Sequence, residues 1–314
     1  MKVILLKLLV SIALLVFLIQ RTPVDAIARE LARMDVSTLL IGAVLSISAW
    51  LLSALRLWCL IPGFSLTQVT HMTIVSLLYG TILPGQMAGD VVKAYRLSRV
   101  QSFPGQAAAA TIVDRGLSLF TLFGIAALAA LILDEPSMTL RIALCAAFLS
   151  APVLTWLLTL AEIRDWLSAQ ARTSGAVARP IFGLLDRLAR AIHDALRHGR
   201  RVTLNIALAL LFHAICIGIQ VFLGRSLSIN ISIEAWSLVY AGVSVLVLLP
   251  ITIAGLGLRE GGYVGLLGLF GVQREAAFAL SFTMLGYLLL GAILGGILEI
   301  WSSVRNAGSR KDIS

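Results

Sequence analysis

Charge is what this sequence has least of. Only 13% of its 314 residues are charged, against about 25% in a soluble domain. Cysteine is scarce too: Cys59, Cys145 and Cys216 stand far apart, within or beside apolar runs. They offer neither a metal-ligand spacing nor a disulfide framework, and read as small packing residues. No Gly-rich P-loop is present, which argues against an ATP-driven pump. No Ser-His-Asp set, His-Glu-x-x-His run or paired-carboxylate motif faces a plausible site, so an enzyme, a metal site and a bound cofactor are not expected. Alternating segments of about ten residues, the mark of a membrane β-barrel, are also missing.

What is there is hydrocarbon. Apolar residues make up 59% of the chain, and several runs reach the ~20 residues needed to span ~30 Å of lipid. These runs are apolar all round, unlike the one-sided helices of a soluble core. The fold class is an all-α polytopic membrane protein, read as a single membrane domain over 1–314. Six full crossings are expected at about 3–20, 36–58, 107–133, 139–160, 203–223 and 276–301. Lys2 and Lys7 precede the first run, and Val24-Asp25-Ala26 resembles a signal-peptide cleavage site; an uncleaved first helix is the expectation, since no soluble domain follows for export.

The net charge of +9 follows from loops rather than from a nucleic-acid surface. The stretch 161–202 carries eight Arg against four acidic residues, which places it in the cytoplasm as a basic loop. Within it, Leu185 to Arg201 looks amphipathic and suits the membrane surface. Both termini are expected in the cytoplasm of a bacterial inner-membrane protein, and the short Asp134-Glu135 turn outside.

Two apolar stretches, about 69–99 and 235–272, are broken by Pro and Gly. Parity requires the first to begin and end inside and the second to begin and end outside. They therefore read as two oppositely oriented re-entrant helical hairpins. Leu83-Pro84-Gly85-Gln86-Met87-Ala88-Gly89 and Leu249-Pro250-Ile251-Thr252-Ile253-Ala254-Gly255 share the pattern L-P-x-x-x-A-G, offset by 166 residues. The flanking helices repeat at nearly the same offset, so 36–133 and 203–301 read as an inverted repeat. Paired broken helices of this kind mark midplane substrate sites in many transporters.

Pro84 and Pro250 remove a backbone donor and break the helix; Gly89, Gly255 and Gly257 allow non-helical backbone. Half-helices starting near Ala88 and Leu258 would direct free N–H groups at an anion. Asp90, Lys93 and Arg96 share one helical face after the first break. Arg259 and Glu260 follow the second break, and Asp114-Arg115 opens the third full crossing. Ionisable groups at membrane depth are expensive and face a partner or a wet path. The bland alternatives are a snorkelling role for Arg56, Arg96 and Arg99, a local Asp114-Arg115 pair, and an interhelical hydrogen bond for His213. Gly257, Gly261 and Gly265, like Gly291 and Gly295, have the spacing of close helix contacts.

The segment from Leu77 through Leu83-Pro84-Gly85-Gln86-Met87-Ala88-Gly89-Asp90 to Lys93, Tyr95-Arg96 and Ser98-Arg99 resembles the first signature of the lysylphosphatidylglycerol synthase transmembrane region, a flippase-like family. Asp114-Arg115 resembles its D-R pair, and Gly255-Leu256-Gly257-Leu258-Arg259-Glu260-Gly261 its G-x-G-x-R-E-G signature. The resemblance covers about 36–301. It implies lipid translocation: aminoacylated phosphatidylglycerol in the bifunctional synthases, hopanoid, glycolipid or polyprenyl-linked sugar pathways in stand-alone relatives. Gln86-Met87 and Asp90 stand where relatives often carry Arg and Glu, and no aminoacyl-transfer domain follows before Ser314. An anionic lipid is therefore the expected substrate, rather than an aminoacyl lipid in particular.

The functional expectation is flipping or transport of an anionic lipid or lipid-linked intermediate. Its headgroup would sit between the hairpins near Arg259, Lys93 and Arg115, with Asp90 and Glu260 balancing charge or carrying a coupling proton. The competing readings are an accessory subunit anchoring a lipid- or glycan-modifying enzyme, and a membrane enzyme on a lipid-linked substrate. Expected partners are a membrane phospholipid, such an enzyme, or a second copy of the chain, and no nucleic acid.

Overall fold

The computed structural model describes residues 24–311 except 62, 84–86, 101–103, 134–136, 174 and 176–177. The expected crossing at 3–20, Pro84 with Gly85 and Gln86, and the Asp134-Glu135 turn lie outside the described residues. Twelve helices and no β-strand are found among the described residues: α1 (Val24–Ala32), α2 (Val36–Leu60), α3 (Leu66–Ile82), α4 (Met87–Val100), α5 (Pro104–Ile132), α6 (Met138–Thr159), α7 (Ala161–Thr173), α8 (Arg179–Leu196), α9 (Gly199–Ser226), α10 (Ile233–Leu248), α11 (Leu258–Gly268) and α12 (Arg274–Lys311).

Among the described residues, four helical stretches are long and apolar enough to cross a membrane: Val36–Leu60, Ala107–Ile132, Gly199–Ser226 and Arg274–Val304. They fall on four of the six expected crossings, and α6 covers the region expected at 139–160 as one helix. The chain is thus a multi-pass membrane protein. Its spans turn apolar side chains outward, as lipid demands. Val36, Leu40, Val44 and Leu51 are exposed along one face of α2, and Leu289, Ile293, Ile297 and Ile300 along α12.

The chain divides into two compact units. Unit 1 comprises Met1–Leu52, Thr70–Lys93 and Ala214–Ser314; unit 2 comprises Ser53–Val69 and Ala94–His213. In unit 1, α1 and α11 pack on α12, and α10 packs on α11. In unit 2, α5, α6 and α8 pack on one another, and α7 packs on α6 and α8. The basic stretch 161–202 thus contains α7 and α8, which pack on each other, and the first residues of α9. Trp166 of α7 meets Phe182 of α8 edge to face, with centroids 5.7 Å apart.

In both broken stretches the helices on either side of the break lie against each other. In the first, α4 returns against α3 so closely that a β-carbon on Gly89 would overlap the Ser76 carbonyl oxygen. In the second, a β-carbon on Gly262 would lie 3.1 Å from Leu246 and 3.3 Å from Val243, while one on Gly242 would lie 2.6 Å from Leu266. Helix α12 braces the first hairpin. A β-carbon on Gly295 would lie 2.5 Å from the Ile74 carbonyl oxygen, and one on Gly291 would lie 3.0 Å from Leu77 and Trp50. Small residues permit such approaches. The reading of Gly265 as a close-contact position is corrected: nothing among the described residues lies within 4 Å of a β-carbon there, because Gly262 presents the face of α11 that meets α10.

Candidate functional site

The second break is built from a proline and three left-handed residues. Ser232 caps α10, its hydroxyl accepting from the Ala235 amide at 3.2 Å. At the other end Pro250 biases the residue before it away from the helical region, and Leu249 is extended at φ −64°, ψ 124°. The backbone then turns through positive φ at Ala254 (54°), Gly255 (74°) and Gly257 (83°). Glycine adopts this region freely; alanine pays a steric cost for it. Helix α11 begins at Leu258, where the sequence placed it.

Arg259 and Glu260 then send their charges to different neighbours. The Arg259 guanidinium is buried, and its Nη2 donates to the Ala254 carbonyl oxygen at 2.7 Å. Its Nη1 is buried with no hydrogen-bond partner among the described residues. Glu260 is fully buried; one carboxylate oxygen accepts from the Gly257 amide, the other from the Ser281 hydroxyl of α12 at 3.4 Å. The helix N-terminus that sequence reasoning offered to an incoming anion is thus already occupied by the chain's own carboxylate. At this break the buried donor left without a partner among the described residues is Arg259 Nη1.

In the first hairpin, Gly89 makes the close approach, and Asp90 and Lys93 share a face as expected. Lys93 Nζ donates to Asp90 Oδ1 at 2.8 Å, with side-chain exposures of 5% and 24%. Unit 1 therefore holds Gly89, Asp90, Lys93, Gly255, Gly257, Arg259 and Glu260, together with Pro250. Arg96, Asp114 and Arg115 belong to unit 2.

Unit 2 carries its own polar centre. Arg56 of α2 is buried and donates through Nη2 to Asp114 Oδ1 at 3.0 Å and to the Asp114 carbonyl oxygen at 3.1 Å. Its Nη1 donates to Ser118 Oγ at 3.3 Å, and the guanidinium lies over the Phe212 ring, 5.4 Å from its centroid. Asn205 of α9 donates through Nδ2 to Asp114 Oδ1 at 3.0 Å and to the Arg56 carbonyl oxygen at 2.9 Å. The His213 ring Nε2 lies 3.0 Å from the Ser118 carbonyl oxygen, a distance that fits an N–H donor there. Two sequence readings change. The ion-pair partner of Asp114 is Arg56, 58 residues away in sequence, and Arg56 is a buried tie among three helices rather than a snorkelling anchor. His213 is the interhelical hydrogen bonder it was read to be.

Residues 4–295 match the family model described as the lysylphosphatidylglycerol synthase TM region. The chain belongs to that family. No curated protein and no solved structure matches the chain. Three family-like motifs quoted from the sequence thereby gain a place in this fold. Residues 255–261 form the second break and the start of α11, residues 77–82 and 87–99 lie in α3 and α4, and Asp114-Arg115 lie in α5, where Asp114 joins the Arg56 network. Asn205, Ser118 and Ser281 were missed as polar partners. An Asn set among apolar residues one turn into a membrane helix was the signal for Asn205, whereas serines are too common in such helices to stand out.

Proposed function

We propose that this protein moves an anionic lipid or lipid-linked intermediate between the leaflets of the bacterial inner membrane, its phosphate headgroup held by Arg259 and Lys93. One observation carries this reading: a buried guanidinium with an unpartnered Nη1, set beside irregular backbone in a chain made largely of membrane-spanning helices. Uncompensated donors of this kind are costly in lipid, and a phosphate oxygen is the acceptor a guanidinium matches best. In this reading the two hairpins enter the bilayer from opposite faces as halves of an inverted repeat. Rocking of one against the other exposes the headgroup to each leaflet in turn. Glu260 shapes the break and stays off the lipid, since both of its oxygens are engaged.

The test is reconstitution into vesicles with fluorescent phosphatidylglycerol and a membrane-impermeant quencher. The wild-type chain should accelerate the loss of inner-leaflet protection, and Arg259→Ala with Glu260→Ala should slow it at least tenfold. Wild-type rates in the double variant, checked for folding by its elution profile, would remove the site. A second reading has the exposed Trp166 on the α7–α8 pair in its favour: an anchoring subunit for a lipid-modifying enzyme. A partner that co-purifies in fixed stoichiometry, with no intrinsic lipid movement, would replace the flippase reading by this one.

A further inference from the structure

The two hairpins agree beyond their proline. Continuing the shared pattern four residues past each glycine brings it to a cation: Ala88-Gly89-x-x-x-Lys93 in the first, Ala254-Gly255-x-x-x-Arg259 in the second, at the same offset of 166 residues. Both cations belong to unit 1 and both are buried, at 5% exposure each. Their counter-charges differ. Asp90 stands three residues before Lys93 and pairs with it at 2.8 Å. The matching position before Arg259 is Leu256, and no carboxylate among the described residues forms an ion pair with Arg259.

We infer that Asp90 is a built-in surrogate for the substrate's phosphate, which competes with the headgroup for Lys93 and releases it from the first hairpin. This rests on the reading of Arg259 and Lys93 as headgroup ligands. A buried ammonium needs an anion beside it. With Asp90 in place, Lys93 is neutralised before the lipid arrives and again as it leaves. Arg259 has no such stand-in and takes the phosphate first. Asp90 is the more exposed partner of its pair, at 24% against 5% for Lys93, so it is the side from which a headgroup can compete for the ammonium. The two equivalent cations thus differ in how tightly they hold a phosphodiester, and the asymmetry lets the headgroup be passed on rather than trapped between two equal sites.

The experiment measures binding of fluorescent phosphatidylglycerol to the full chain in detergent, and its transbilayer movement in vesicles, on the same preparations. Asp90→Asn should bind the lipid at least fivefold more tightly and move it at least fivefold more slowly. Asp90→Glu should behave as wild type. Adding Lys93→Gln to Asp90→Asn should abolish the gain in affinity. Inorganic phosphate at matched concentration should show no such gain, and a gain seen only with inorganic phosphate would overturn the lipid assignment. Asp90→Asn that binds no more tightly while its thermal melting is unchanged, or a gain that survives Lys93→Gln, would overturn the surrogate role. Arg259→Gln separates the two levels: wild-type lipid binding in that variant sinks the headgroup site itself, whereas its loss together with a silent Asp90→Asn sinks only the surrogate.

Discussion

At the scale of single residues, the buried charges of unit 2 are resolved by partners far away in sequence. Arg56, Asp114 and Asn205 come from three helices and close one network. Removing one member of a buried ion pair leaves the other uncompensated, which costs about 3–5 kcal/mol, whereas replacing both by apolar groups is often neutral. Asp114→Ala should therefore lower the melting temperature sharply, and Arg56→Met with Asp114→Leu should recover most of the loss; thermal unfolding in detergent reads both. None of this was visible from Asp114 alone, because its neighbour Arg115 offered a nearer partner on paper. Sequence adjacency on a helix sends successive side chains to different faces, and the Arg259-Glu260 pair repeats the lesson. Lys93 and Asp90 were legible because three residues along a helix do share a face.

At the scale of elements, the breaks were readable and the packing was not. Pro250 and the glycines after it announced the end of α10 and the start of α11 at Leu258. The short helix α1, over Val24–Ala32, was not expected, because Val24-Asp25-Ala26 looked like a processing site; its Ile27 and the nearby Met34 are buried. In the stretch read as a basic loop, α8 covers most of the segment from Leu185 to Arg201 that looked amphipathic, whereas α7 over Ala161–Thr173 was not expected. The turn-back of the first hairpin makes a sharp demand at Gly89. A methyl group there meets the Ser76 carbonyl oxygen, so Gly89→Ala should cost about 1–3 kcal/mol as an overpacking change. Gly116→Ala, where nothing lies within 4 Å, should leave unfolding within about 0.5 kcal/mol of wild type. Parallel denaturation of the two variants checks that the loss comes from the hairpin contact and not from alanine as such.

At the scale of the whole molecule, the class and most of the span positions were legible because bilayer thickness imposes a length on any apolar helix. The division into two compact units was not, since hydropathy records depth in the membrane and carries no information about which helices neighbour one another. Orientation follows the distribution of Arg and Lys. A fluorescent-protein fusion after Ser314 should be bright, and an alkaline-phosphatase fusion at the same point inactive, if the C-terminus faces the cytoplasm; the opposite pair of results would invert the topology.

Helix α12 runs for 38 residues, or about 57 Å, while the hydrocarbon it crosses is about 30 Å thick. Its apolar span stops at Val304 and the helix continues to Lys311. A continuous helix that outruns the bilayer can act as a rigid handle. A soluble helical scaffold grafted in register onto its last turns would project from the micelle at a fixed angle and add mass to a 33.6 kDa chain. Particles of this protein with lipid bound could then be aligned by electron microscopy, which its small size would otherwise prevent.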